Sequence, residues 1–464
     1  MQQQQQAAQS DFSRGGVEAN ILRLAGPMVV AQLINVLYNI VDRMYIGHLP
    51  QASGNALTGL GVTFPLITLV IAFANLYGAG GAPLFSMARG RRDSDAARRI
   101  MGNVFTLLTG TGLLLTLLLL AAKRPLLYLF GASETTYPYA DAYLTIYLCG
   151  SVFVMLGLGM NNFINAQGFA RTGMATVLIG AVLNILLDPL FIFVLDMGVR
   201  GAALATVLSQ LVSAAWAVGF LCSRRSLLRL ERRWLGLRFA TVRQIVSLGF
   251  SSFIMSVTNS AVQSVCNATL QGYGGDLYVG VMTVLNSVRE VVQTVINGLT
   301  NAAQPVMSFN FGAREYRRVR RGILFTTAAC IVYTVTVWAL LFFFPRAFIV
   351  LFNDNPSLVE ACVPAMQLYF FGFFMMSLQM AGQAASVALG RSKQAIFFSL
   401  LRKVFIVIPL TLLLPRLFGL GVDGVFLAEP ISNFIGGAAC YLTMLLTIWR
   451  RLVLAEKSAA AGNC

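Results

Sequence analysis

Histidine occurs once in 464 residues, at His48, and only 11% of the chain is charged. A soluble globular domain carries about 25% charged residues, so such a domain is not expected here. The seven cysteines are scattered, six in or beside apolar stretches and Cys464 at the tail, with no CxxC and no Cys/His cluster. Neither a structural zinc site nor a disulfide framework follows from that distribution. The glycine-rich loop ending in Lys-Ser/Thr that cradles nucleotide phosphates is also absent, which argues against direct coupling to ATP within this chain. With one histidine, and no nucleophile–base pair or metal-ligand group within the apolar stretches, an enzyme is not expected, nor is a bound cofactor. His48 reads either as an interfacial residue or as a proton relay. The opening MQQQQQAAQS lacks an apolar core of its own, so it is not a signal peptide, and its polarity predicts disorder.

Long apolar runs, by contrast, fill the sequence. Hydrophobic residues make up 57% of it, and mean hydropathy is +0.72. Twelve stretches are long enough to cross a bilayer as helices: 24–46, 56–84, 101–121, 138–164, 173–195, 201–222, 245–271, 277–307, 322–344, 358–388, 394–415 and 424–448. The expected fold class is therefore an all-α polytopic membrane protein with twelve transmembrane helices. The net charge of +16 follows the loops: with the N-terminus inside, inner segments hold 25 of the 34 Lys and Arg, and outer segments hold six. That asymmetry is the positive-inside pattern with both termini cytoplasmic. The basic surplus then reads as topology and as contact with anionic lipids, not as a nucleic-acid footprint.

The chain is also written twice. PLFSMARG at 83–90 answers PVMSFNFG at 305–312, a shift of 222 residues. The same shift relates Asn75 to Asn297, Tyr147 to Tyr369, Gly150 to Gly372 and Gly168 to Gly390, and GVRGAALA at 198–205 answers GVDGVFLA at 421–428 one residue later. Two six-helix halves entering the membrane the same way round imply a pseudo-two-fold axis along the membrane normal. The expected organisation is a disordered cytoplasmic segment 1–20, an N-terminal half 21–222, a basic linker 223–244, a C-terminal half 245–450 and a cytoplasmic tail 451–464. The linker reads either as an amphipathic stretch on the inner leaflet or as a solvated loop. GAGGA at 78–82 and GGAA at 436–439 predict close helix contacts, and GYGG at 272–275 predicts a turn. A repeat of this kind favours alternating access to a mid-membrane cleft over a fixed channel.

Few groups inside the spans can carry chemistry. An ionised carboxylate in hydrocarbon costs about 2.5–3.5 kcal/mol on insertion scales, so Asp42 and Asp188 need either a partner or a task. In NILLDP, Asn184 and Asp188 share a helix face, and Pro189 removes a backbone donor that would otherwise close the last turn. Counting from the outer helix ends puts Thr206 and Asp42 near the same depth. Two carboxylates, an amide and a hydroxyl are hard oxygen donors, suited to a proton or to Na⁺ held by Asp42 and Asp188. Purely structural roles remain open: Asp42 bonding Arg43 or an amide, and Asp188 capping the backbone freed by Pro189. In the second half, Glu290 either meets a cationic substrate or pairs with a basic residue of the eleventh span. Arg289, Arg402, Lys403 and Glu429 lie elsewhere in it, and LYFFGFFMM at 368–376 offers either stacking contacts or packing against lipid.

The first-span pattern LAGPMVVAQLINVLYNIVDRMYIGHLP, the repeated P-x-x-S-x-x-x-G followed by basic residues, and the double six-span repeat resemble the multidrug and toxic compound extrusion (MATE) transporters over about residues 18–450. The resemblance implies a multi-pass protein of the bacterial cytoplasmic membrane that exports organic cations in exchange for H⁺ or Na⁺. It implies a coupling site like that of the DinF-like branch, at Asp42, Asn184, Asp188 and Thr206, with Asn161 as a further member. Pro27 matches a first-span proline linked to helix bending. Tyr38, Gln263, Glu290, Tyr369 and Met376 are the candidates for substrate contact. The NorM-like branch has an acidic residue on its seventh span, and 245–271 contains none. A lipid-linked oligosaccharide flippase of the wider superfamily is the alternative, and it would want a strongly cationic cleft. A monomer is expected.

Overall fold

The computed structural model describes residues 12–47, 53–352, 355–417 and 419–461. His48, MQQQQQAAQS and Cys464 lie outside them. Every regular element among the described residues is helical. In the first half these are α1 (Val17–Gly47), α2 (Ser53–Gly90), α3 (Ser94–Leu129), α4 (Tyr137–Cys149 and Ser151–Ala166), α5 (Ala170–Pro189, extended by a π-turn over Leu190–Val194) and α6 (Gly198–Cys222). A 74-residue run, Phe239–Gly312, follows. At about 1.5 Å per residue it would measure roughly 110 Å, several times the ~30 Å hydrocarbon core. Its continuity fails at Gly275, where φ is 62°, and the two parts are α7 and α8. The turn expected over GYGG is thus reduced to a single left-handed residue, the conformation in which glycine carries no side-chain penalty.

The remaining elements are α9 (Tyr316–Phe343), the short helix Pro345–Val350, α10 (Pro356–Tyr369 and Phe373–Ala388), α11 (Ser392–Leu400, the π-turn Leu401–Val407 and Ile408–Leu413) and α12 (Val422–Met444, the π-turn Leu445–Trp449 and Arg450–Ala461). Nine runs are individually long and apolar enough to cross a membrane, and the bent pairs of α4 (54°) and α10 (51°) add two. Dividing the longest run at Gly275 gives twelve spans among the described residues.

The repeat is written in the backbone as well as in the letters. Arg92 and Arg314 are 222 positions apart, and both take a left-handed φ, 61° and 62°. Gly168 and Gly390 do the same at 93° and 73°, and the bends of α4 and α10 fall at Gly150 and Gly372. Gly201 and Gly424, related by 223, each face backbone where a side chain would not fit: an added Cβ would lie 2.6 Å from the Phe191 oxygen or the Leu414 carbonyl carbon.

The chain divides into two compact units, one comprising Met1–Gly15 and Gly26–Phe253, the other Gly16–Ala25 and Ile254–Cys464. The division falls between Phe253 and Ile254, inside α7, and α1 contributes to both units, changing from one to the other immediately before Pro27. The first unit packs around Phe85, Met101, Leu108 and Phe163, with Phe85 and Phe163 edge to face at 5.3 Å. The small residues of GAGGA let α2 meet α7 almost backbone to backbone, since a Cβ on Gly80 would lie 2.3 Å from the Ile245 oxygen. The second unit packs around Met366, Phe370, Phe373 and Phe426.

Three expectations about the connecting segments change. Residues 12–20 are not loose: Phe12 is fully buried, with the Arg89 guanidinium 5.7 Å from its ring, and α1 starts at Val17. The linker is not a free solvated loop. Asn103 accepts from the Arg238 N–H at 2.9 Å and donates to the Gly236 carbonyl at 3.0 Å, while Gln167 accepts from the Leu228 N–H and the Ser226 hydroxyl, each at 3.0 Å. These amides strap it to the first unit, and α7 begins at Phe239 rather than 245. The tail continues α12 to Ala461, where Glu456 pairs with Arg320 of α9 at 2.8 Å and Arg320 also covers Trp449.

Candidate functional site

The acid cluster of the first unit is assembled by α1, α5 and α6, with α4 beside it. Asp188 is fully buried at the last turn of α5, and Asn184 one turn earlier is 2% exposed. Asn184 Nδ2 donates to Asp188 Oδ1 at 3.2 Å and to Thr206 Oγ1 at 3.4 Å, while the Thr206 hydroxyl itself donates to the Ala202 carbonyl at 3.0 Å. The i,i+4 spacing on α5 therefore does what such spacing allows, and α6 returns Thr206 to the same level. Pro189 ends the α-helical pattern, and the chain widens into the π-turn directly beyond Asp188. The half-buried Asp42 on α1 lies within interaction range of the Asp188 carboxyl group.

Donors run short at this cluster. No hydrogen-bond donor among the described residues reaches Asp188 Oδ2 or Asn184 Oδ1. A buried acceptor without a donor carries a desolvation cost of about 1–3 kcal/mol, more when charged. A proton or a small cation removes that cost, and the available atoms are oxygens of the hard kind that H⁺ and Na⁺ take. Among the described residues no group of three His, Cys, Asp or Glu converges.

The sequence did not single out the tyrosines around this cluster, apart from Tyr38. Tyr143 lies near Asp42 and Thr206, and its ring stacks with Tyr147 at 6.2 Å between centroids. Tyr38 on α1 faces both Asp42 and Asp188. The YLTIY spacing on α4 was the available signal, because two tyrosines four apart on an apolar helix share one face. Asn161 is not brought to the cluster. Its Oδ1 stands 3.1 Å from where a Cβ on Gly173 would be, and Gly173 lies 15 residues before Asp188, roughly 22 Å along α5. It sits near the opposite end of that helix.

The second unit contains a different arrangement. Glu429 on α12 is buried, and one of its oxygens, Oε1, meets Arg402 Nη2, Lys403 Nζ at 3.4 Å and Arg289 Nη1 at 3.7 Å. Arg402 Nη1 also donates to Gln379 Oε1 at 2.9 Å. Adjacent residues on a regular α-helix point about 100° apart. Arg402 and Lys403 reach one carboxylate because they lie in the π-turn of α11, a local widening frequent at functional positions. The base of the eleventh span thus meets Glu429, whereas Glu290 is exposed. Tyr369 is buried beneath the Arg289 guanidinium, 5.9 Å from its carbon, and Gln263 is an exposed wall residue of the same region. Met376 belongs to the apolar core rather than to a cavity wall. LYFFGFFMM divides likewise, with Phe370 and Phe373 in the core and Phe371 exposed.

Comparison with known proteins matches this chain to the MatE family model over residues 27–190 and 251–413. It is 23% identical to the multidrug export protein MepA of Staphylococcus saprophyticus, over 93% of this chain and 95% of that protein. It is equally identical to MepA of Staphylococcus aureus strain NCTC 8325, over 94% and 95%. Among solved structures it superposes on a MATE protein in a bent conformation with a TM-score of 0.90 at 22% identity, covering 97% of this chain and 99% of that one. A MOP superfamily transporter from Pyrococcus furiosus gives 0.89 at 22% identity, covering 96% and 98%. At these identities the structural likeness shows a shared fold.

Proposed function

The chain belongs to the MatE family, and on that premise we propose that it is a multidrug exporter of the cell membrane, driving amphipathic organic cations outward in exchange for H⁺ or Na⁺. The observation that carries this reading is Asp188: fully buried, within range of a second carboxyl group, and with an oxygen that no described donor reaches. The export function named for the MepA relatives supports the substrate class.

In the ion-loaded state, H⁺ or Na⁺ neutralises the cluster formed by Asp42, Asn184, Asp188 and Thr206. Losing the ion restores negative charge beside Tyr38, Tyr143 and Tyr147. That negative, aromatic-walled environment favours an organic cation through charge and cation–π attraction. Ion and drug thus stabilise different charge states of one cluster, and a ligand shifts a conformational equilibrium only through such a difference in affinity. Pro27 is the expected hinge. It lacks the N–H that would bond the Arg23 carbonyl, and it stands where α1 changes from one compact unit to the other. Both termini face the cytoplasm in this reading, and the basic loops contact anionic lipid.

Efflux of a fluorescent cationic dye from vesicles, under separately imposed pH and Na⁺ gradients, tests the proposal. Wild-type protein is expected to follow one gradient or both, and Asp188→Asn to follow neither. Efflux that ignores both gradients in the wild type removes the antiport reading.

A further inference from the structure

The second unit encloses more buried positive charge than its acid can neutralise. Arg289, Arg402 and Lys403 converge on Glu429, and among the described residues no other acid lines the small cavity, about 30 Å³, beside them. Guanidinium groups stay charged in proteins. Even with Lys403 neutral, therefore, two cations stand against one carboxylate. The side chains of Arg402, Lys403 and Glu429 are each less than 10% exposed, so bulk water does little to screen the imbalance.

Hydrogen bonding is unbalanced in the same direction. Arg402 Nε is buried with no acceptor among the described residues, and so is the Tyr369 hydroxyl. All three basic groups meet the single oxygen Oε1, and Arg402 Nη1 in addition donates to Gln379. Asn259, Gln293 and Gln379 add polar edges to the wall, and Met255 and Met380 supply apolar surface next to them. The aromatic ring of Tyr369 extends that surface into the adjoining cavity.

We infer that this cavity binds the carboxylate of an amphipathic organic acid or zwitterion, with Arg289, Arg402 and Lys403 as its cationic partners. A carboxylate supplies the missing negative charge and the missing acceptors together, and its planar pair of oxygens suits the guanidinium fork. The methionine and tyrosine surface takes the apolar body. This site differs in position and in charge preference from the acid cluster of the first unit. Its meaning as a substrate site rests on the export reading, but ligand binding to it requires no ion gradient.

The test uses the purified full-length protein in uncharged maltoside micelles, with two fluorescent probes measured by polarisation. One is an uncharged coumarin bearing a carboxylate, and the other is its neutral methyl ester, which differs only in that group. Wild-type protein is expected to bind the free acid about tenfold more tightly than the ester, the ~1.4 kcal/mol that corresponds to a factor of ten. Lys403→Met and Arg289→Gln are each expected to reduce that ratio severalfold, chiefly by weakening the acid. The inference is overturned if the wild type binds the ester as well as the acid, or if neither variant alters the ratio. It is equally overturned if stoichiometric phosphatidylglycerol abolishes the acid's advantage, which would give the site to a lipid headgroup. Should a variant fail to fold, the wild-type ratio decides alone. Gradient-independent efflux would remove the antiport reading without touching this ratio.

Discussion

Replacing Glu429 with Gln should destabilise the protein far more than replacing Lys403 with Met, although each change removes one charge from the same contact. At an effective dielectric constant near 20, a pair of unit charges 3.4 Å apart attracts by about 5 kcal/mol, and one at 3.7 Å by about 4.5 kcal/mol. Glu429→Gln deletes these terms together with the Arg402 contact and leaves only positive groups facing one another. Relief of the carboxylate's own desolvation offsets part of the loss, and breaking buried pairs in this way costs a net of about 3–5 kcal/mol. Lys403→Met also deletes one attraction, but it removes a buried ammonium and its repulsion by two guanidinium groups, and it keeps the Arg402–Glu429 pair. The net change there is expected within about 1 kcal/mol of zero, because the removed charge belonged to the surplus. Thermal unfolding in maltoside micelles, followed by loss of the monodisperse chromatographic peak, should rank wild type and Lys403→Met together and Glu429→Gln well below. Equal destabilisation by the two variants would show that the bases are not in excess and would refute the reasoning.

Three further outcomes test other parts of the account. Gly249→Ala should lower the melting temperature clearly, since the added Cβ would lie 1.7 Å from the Leu76 oxygen, whereas Gly272→Ala, with nothing within 4 Å, should not. Comparable effects at the two glycines would contradict the close approach of α2 and α7. Asn103→Ala abandons the Arg238 N–H and the Gly236 carbonyl, a loss of about 1–3 kcal/mol, and limited proteolysis within 223–238 should accelerate; an unchanged cleavage rate would mean that the strap is held elsewhere. Pro27→Ala should slow dye efflux at unchanged protein level, because an uninterrupted backbone ladder stiffens α1 where it passes between units, and full activity would exclude the hinge.

Much of the architecture could be read from the letters because apolar length and repetition are one-dimensional signals. The register of 222 reappears as matched left-handed arginines at 92 and 314, which no hydropathy measure could have supplied. Asn184, Asp188 and Thr206 were reachable too, since i,i+4 spacing and depth counting suffice for neighbours joined by a short turn. Asn161 was attached to the cluster by resemblance alone, and it lies near the start of α5. The second unit was harder. Arg289 and Glu290 are consecutive, and a rotation of about 100° decides which of them faces inward. An almost uniformly apolar span offers no polar face from which to judge that rotation. The π-turn that brings Arg402 and Lys403 to one carboxylate is likewise invisible to a search based on 3.6-residue periodicity. Neither Tyr143, which α4 places near Asp42, nor Tyr147, which stacks on it, stood out as a site residue in the sequence.

The proposed exchange requires that drug and ion exclude one another at a cluster built on Asp188. It is tested most directly by adding a cationic substrate to the purified protein in weakly buffered micelles while following free protons with a pH dye and bound sodium with an isotopic tracer. Wild-type protein should release one of the two ions as substrate binds, and Asp188→Asn should bind substrate with no release of either. Undiminished ion release from Asp188→Asn would contradict the claim.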